Sequence, residues 1–107
     1  MNIKKIDDFI RGWIIGNFEP SLLKTELFEV GLMRHKAGEV WPKHYHKVGT
    51  EYNVLVSGKM IIQGKELISG DVFVFNPGEV ADPIFLEDCS VLVVKVPSIL
   101  GDKYEVL

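Results

Sequence analysis

Cysteine is almost missing from this chain: Cys89 is the only one in 107 residues. An internal disulfide is therefore excluded, and the usage fits a reducing compartment. Basic residues are also short, with Lys plus Arg at 12 against 15 Asp plus Glu, for a net charge of -3. That balance argues against nucleic acid and anionic membrane surfaces as partners, because both are met by basic patches. No apolar run is long enough to span a bilayer. Lys4 and Lys5 followed by apolar residues imitate a signal peptide, but Asp7, Asp8 and Arg11 interrupt the stretch. The C-terminal KYEVL carries no lipidation signal. The expectation is a cytoplasmic protein. Histidine is scarce as well, limited to His35, His44 and His46.

Helical periodicity is weak throughout. Ten glycines and five prolines cut the chain into brief segments. Between them lie β-branched and aromatic runs at 13–18, 27–35, 51–58, 59–63, 71–75 and 90–96. Short strands at regular spacing with turn signals predict an all-β sandwich or barrel. Phe28, Val30 and Leu32 alternate onto one face. Residues 59–68 predict a hairpin turning near Gln63-Gly64. Only 1–11 and 20–26 have room for a helical turn or two. The length allows one domain over 1–107 and no second core. Strands 52–56 and 90–96 are apolar on both faces, which calls for cover on both sides. The N-terminal strands or a partner subunit can supply it, the alternative being a few exposed apolar side chains, and a homodimer is expected.

The segment Gly38 to Gly58, GEVWPKHYHKVGTEYNVLVSG, carries the chemistry. His44 and His46 at i and i+2 of a strand project to one face, with Tyr45 opposite. A hairpin is expected to return Glu51 beside them. Two imidazoles and a carboxylate form the donor set of a facial triad for a divalent transition metal.

Gly38, five residues, His44-Tyr45-His46, four residues, Glu51, six residues and Gly58 reproduce the first motif of the cupin superfamily, which the chain resembles over roughly 28–96. The second motif is partial. Gly70 and Gly78 stand in place, but Asn76 replaces the first proline, Ala81 the metal-binding histidine and Phe85 the asparagine. The resemblance implies a double-stranded β-helix, a jelly-roll-like barrel with little helix, flanked by an N-terminal strand region 1–27 and a C-terminal tail 97–107. It also implies a metal centre of His44, His46 and Glu51 holding Fe, Mn, Ni or Zn, short of its second-motif histidine.

Around that centre, Trp41, Asn53, Glu79, Ala81 and Phe85 are expected to line the pocket. Glu79 or Asp82 is the candidate to replace the missing ligand. His35 belongs to neither motif and reads as a surface or strand-edge residue. Cys89 and Trp13 read as packing residues. Segments at both ends resemble small single-domain cupins found beside sugar-nucleotide and surface-polysaccharide enzymes, which implies a carbohydrate-related ligand. Two functions follow. One is a small metal-binding enzyme of isomerase, epimerase or dioxygenase type, acting on a small polar molecule such as a sugar derivative. The other is a non-catalytic ligand-binding module with a vestigial, metal-free site.

Overall fold

Frequent turn residues make the strands short and numerous. The computed structural model describes residues 1–107 and holds eleven strands and one 3-10 turn, Ile6–Asp8. In chain order the strands are β1 (Trp13–Gly16), β2 (Leu23–Lys24), β3 (Glu29–His35), β4 (His44–Tyr45), β5 (Thr50–Ser57) and β6 (Lys59–Ile62). They continue with β7 (Lys65–Ile68), β8 (Val72–Phe75), β9 (Pro83–Phe85), β10 (Cys89–Val96) and β11 (Tyr104–Glu105). One sheet has the order β2-β1-β3-β10-β5-β8, a second β7-β6-β9, and β11 pairs with β4. All pairings but β1–β2 are antiparallel. The all-β expectation and its jelly-roll-like barrel hold. No helix is long and apolar enough to cross a membrane.

The core sits between the six-stranded and three-stranded sheets. Leu55, Phe75, Val91 and Val93 come from the first, and Met60, Ile62 and Phe85 from the second. Burial of such side chains contributes roughly 1.5–3 kcal/mol each. Cys89 is buried among them, as its packing role required. The inner positions of β3, β5 and β10 are not uniformly apolar, however. They also present Glu29, Asn53 and Lys95, all buried. Strand alternation makes the explanation simple: the face of β3 that bears Val30 and Leu32 points away from the barrel, and Glu29 and Gly31 point in. An alternating apolar pattern here marks the outer face.

Two turns follow their residues closely. The β6–β7 hairpin closes through Gln63 and Gly64, both with positive φ (50° and 75°), as a tight two-residue turn requires. Gly58 joins β5 to β6 at φ 95°, and a Cβ there would stand 2.3 Å from the Asp88 carbonyl oxygen. That close approach explains the glycine that ends the first motif.

Two expectations need correction. Residues 20–26 form no helical turn; Leu23–Lys24 instead adds an edge strand parallel to β1. The strand of His44 does not form a hairpin with that of Glu51. β4 pairs with β11 from the C-terminal segment, and His44 also bridges Ala81. The reason is length: β4 has two residues, and the turn after it leads Glu51 into the large sheet between β10 and β8.

Candidate functional site

A cavity of about 720 Å³ opens into the barrel, within the range of small-molecule sites. His44, His46 and Glu51 line it, together with Trp41, Asn53, Ala81 and Phe85. Their placement follows from the strands. Glu51 and Asn53 are inward positions of β5, two residues apart, and both are paired with neighbours on either side. His46 lies just past β4 and is held from two directions. Its carbonyl accepts from Gly78 N at 2.7 Å, and its Nδ1–H donates to the Asp102 carbonyl.

This backbone bond orients the ring and leaves Nε2 turned inward. Nε2 is buried without a hydrogen-bond partner. Glu51 Oε1 stands 3.5 Å away, close enough for charge but poorly aligned for a hydrogen bond. Asn53 Nδ2 donates to the other carboxylate oxygen at 3.3 Å. The two imidazoles meet edge to face, with centroids 5.5 Å apart.

The electrostatics of the two histidines diverge. His46 titrates above the ordinary histidine range, chiefly because the Glu51 carboxylate faces it, against the opposing effect of burial. His44 titrates below it, because burial disfavours the charged ring and the Lys103 ammonium and His46 add to that effect. Burial pushes Glu51 up, but His46, Asn53 and Lys95 together outweigh it and hold the carboxyl below its usual range.

Lys95 was not anticipated. Its ammonium is buried in the barrel wall and pairs with Glu29 at 2.9 Å. Ser98 Oγ donates to the second Glu29 oxygen at 3.1 Å. Asp102 was also missed, in a segment read as a tail. Its carboxylate accepts from the backbone N–H groups of Lys47, Val48 and Gly49, nearest distances 2.9, 3.2 and 2.8 Å. Burial raises its pKa, but those three donors win and hold the carboxyl low. One residue thus fixes the turn between His46 and Glu51 and also the ring of His46. Buried polar positions on an apolar-patterned strand, such as Lys95, were the available sequence signal. Asp102 offered none.

Two expected residues lie elsewhere. Glu79 is exposed and caps its own turn, accepting from Asn76 N at 3.0 Å and Asn76 Nδ2 at 2.7 Å. Asp82 pairs with Lys43 at 3.6 Å on the outside. Neither lines the cavity, so neither replaces the missing ligand. His35 does line it, which corrects its reading as a surface residue. Its ring stacks on Phe85 at 4.1 Å, and its Nδ1 is 2.5 Å from Glu39 Oε2. Trp13 and Trp41 pack against the core and also wall the cavity.

No three His, Cys, Asp or Glu side chains are grouped so as to hold one ion. Ala81 occupies the place of a fourth donor, and the positive charge of Lys95 and Lys103 acts on the same groups. Cations beside a site raise the cost of bringing in another.

Searches of protein-family models and of curated proteins found no match. Solved structures do match. An uncharacterised double-stranded β-helix protein from Klebsiella pneumoniae is 20% identical, with 97% of this chain and 90% of that one covered at a TM-score of 0.72. The fold is the cupin fold. Other similar cupin-fold structures are enzymes of different kinds. The polyketide cyclase RemF from Streptomyces resistomycificus is 20% identical, with 77% of this chain and 62% of that one covered at a TM-score of 0.67. A cupin-superfamily sugar phosphate isomerase from Silicibacter pomeroyi is 22% identical, with 67% and 52% covered at a TM-score of 0.55. At these identities the likeness carries the cupin architecture and leaves the chemistry to the site.

Proposed function

We propose that this cupin binds a small polar molecule, such as a sugar derivative, and moves a proton on it, as in an isomerisation or epimerisation. The observation that carries the reading is His46 Nε2, a buried nitrogen aimed into a cavity with no hydrogen-bond partner. Buried polar groups are nearly always satisfied, and with only Glu51 at 3.5 Å beside it, a polar atom of a ligand in the cavity would complete this one. His46 holds its proton more tightly than an ordinary histidine and is suited to donate to a substrate oxygen. His44, whose charged form is disfavoured by burial, keeps a free lone pair that can take a proton from carbon. Opposed shifts on neighbouring groups mark an acid and a base. Trp41, Phe73 and Phe85 supply an apolar wall for the ligand body.

The test is solvent exchange. Aldoses and ketoses, free and phosphorylated, are incubated with the protein in D2O and followed by proton NMR. Deuterium enters at the carbon beside the carbonyl, and His46→Gln or His44→Gln slows this by about 100-fold or more. Absence of exchange across the panel, with and without added metals, refutes the reading.

The same nitrogen favours a second reading. Because Nδ1–H donates to the Asp102 carbonyl, the Nε2 lone pair is free, as in metal-binding histidines. His44, His46 and Glu51 would hold a divalent transition metal (Fe, Mn, Ni or Zn), whose contribution is to polarise a bound oxygen. Elemental analysis of protein purified without nickel resin tests it. Near-stoichiometric metal, lost in His46→Ala, supports this reading over the first. Protein that takes up none of these metals removes it.

A further inference from the structure

Four acidic and four basic side chains line the cavity, but not all of them are paired with one another. Its acidic groups are all engaged. Glu29 pairs with Lys95, Glu51 faces His46, Asp7 is 3.9 Å from Arg34, and the Asp102 carboxylate is filled by three backbone N–H groups. Two cations that line the same cavity, Arg11 and Lys103, form no salt bridge. The Lys103 ammonium lies over the Trp41 ring, 4.5 Å from its centroid. Arg11 and Gly12 form a tight turn with positive φ (52° and 82°), closed by Trp13 N on the Ile10 carbonyl at 3.0 Å, which sets Arg11 at the edge of the cavity. Like charges left together on an acidic protein are costly, and an incoming anion relieves that cost.

We propose that Arg11 and Lys103 form an oxyanion-binding subsite at the mouth of the cavity, taking a phosphoryl or carboxylate group of the ligand. Resting on the ligand-binding reading above, it narrows the substrate class to small organic anions. Burial and the charges of Arg11 and Lys95 make Lys103 easier to deprotonate, against the opposing influence of Glu51 and Glu105. Arg11 provides a fork for two oxygens and Lys103 a point charge, both common in phosphate recognition.

The proposal is tested with inorganic phosphate at low ionic strength, followed by proton–nitrogen NMR of the whole chain. The Trp41 indole N–H and the amides of Arg11, Gly12 and Gly101 to Lys103 are expected to shift together and saturably. Added sodium chloride weakens the response, and the Arg11→Gln/Lys103→Gln double variant abolishes it. A wild-type protein without these shifts, or a double variant with the same shifts, overturns the proposal. Acetate in place of phosphate distinguishes the sources: a stronger response to phosphate assigns the subsite to phosphoesters, a stronger response to acetate to carboxylates. His46→Gln keeps the phosphate response, since it leaves both cations in place. Loss of exchange chemistry in that variant, with the phosphate response intact, separates the two claims.

Discussion

Replacing Glu51 by Gln tests the centre of the site. The change keeps shape and removes one charge. His46 then loses the chief influence that raises its pKa. Both side chains are well buried, at 6% and 15% exposed, so solvent screens the pair weakly. The expected loss near pH 5.5 is about 2 kcal/mol, between an exposed pair and a fully buried one broken from one side. The pH dependence is more specific. His46 binds its proton more tightly in the folded state, so its contribution is present below the unfolded pKa and lost as pH rises through the folded one. His44 does the opposite: its folded pKa is depressed, so it costs stability as pH falls below the unfolded value. In the wild type these contributions oppose each other between about pH 8 and 5.5. In Glu51→Gln only the His44 penalty remains, and acidification over that window destabilises the variant more than the wild type.

Urea unfolding at pH 8 and 5.5 measures the stabilities, and NMR titration of the imidazoles assigns the cause. His46 should fall toward or below the ordinary histidine value, and His44 should fall slightly, since Glu51 also raises it. An unchanged His46 titration together with an unchanged midpoint at pH 5.5 would refute the assignment of Glu51 as its partner.

Asp102→Ala removes the acceptor of three backbone N–H groups, that of Gly49 buried and those of Lys47 and Val48 partly so, and should cost about 1–3 kcal/mol by urea unfolding at pH 7. Because the Asp102 pKa is depressed on folding, its contribution is present above the unfolded value near 3.8 and fades as pH falls through the folded one. The gap between variant and wild type should therefore shrink on acidification. Leu55→Ala, at the one large side chain with no exposure, should cost about 2–5 kcal/mol in the same assay. Gly58→Ala places a Cβ 2.3 Å from a backbone oxygen at φ 95°, and a fall in thermal midpoint should accompany a loss of at least about 1 kcal/mol.

The barrel was readable because its signals are local. β-branched runs, the Gln63-Gly64 turn and the spacing from Gly38 to Gly58 each act over a few residues. His44, His46 and Glu51 were readable for the same reason, although not the route that brings them together. That route depends on β11, about sixty residues from β4, and on Asp102, about fifty-five from the turn it holds. Neither leaves a periodic trace. Parity along the strand failed for Glu79 because the chain there is a turn, and its carboxylate is taken by Asn76.

The C-terminal segment therefore has more weight in the site than its composition suggests. Ser98 fixes Glu29, which holds Lys95 in the barrel. Asp102 fixes both the ring of His46 and the turn into Glu51. Lys103 brings its charge to His44 and to the mouth. Six residues thus act on every titratable group of the centre. The two histidines and the glutamate reach the cavity from the barrel strands and the turn between them. Their opposed proton affinities, on which the proposed chemistry depends, are set in part from outside the motif that identified them. A chain with the same motif and a different segment after Pro97 would keep the two larger sheets and lose β11 together with that tuning.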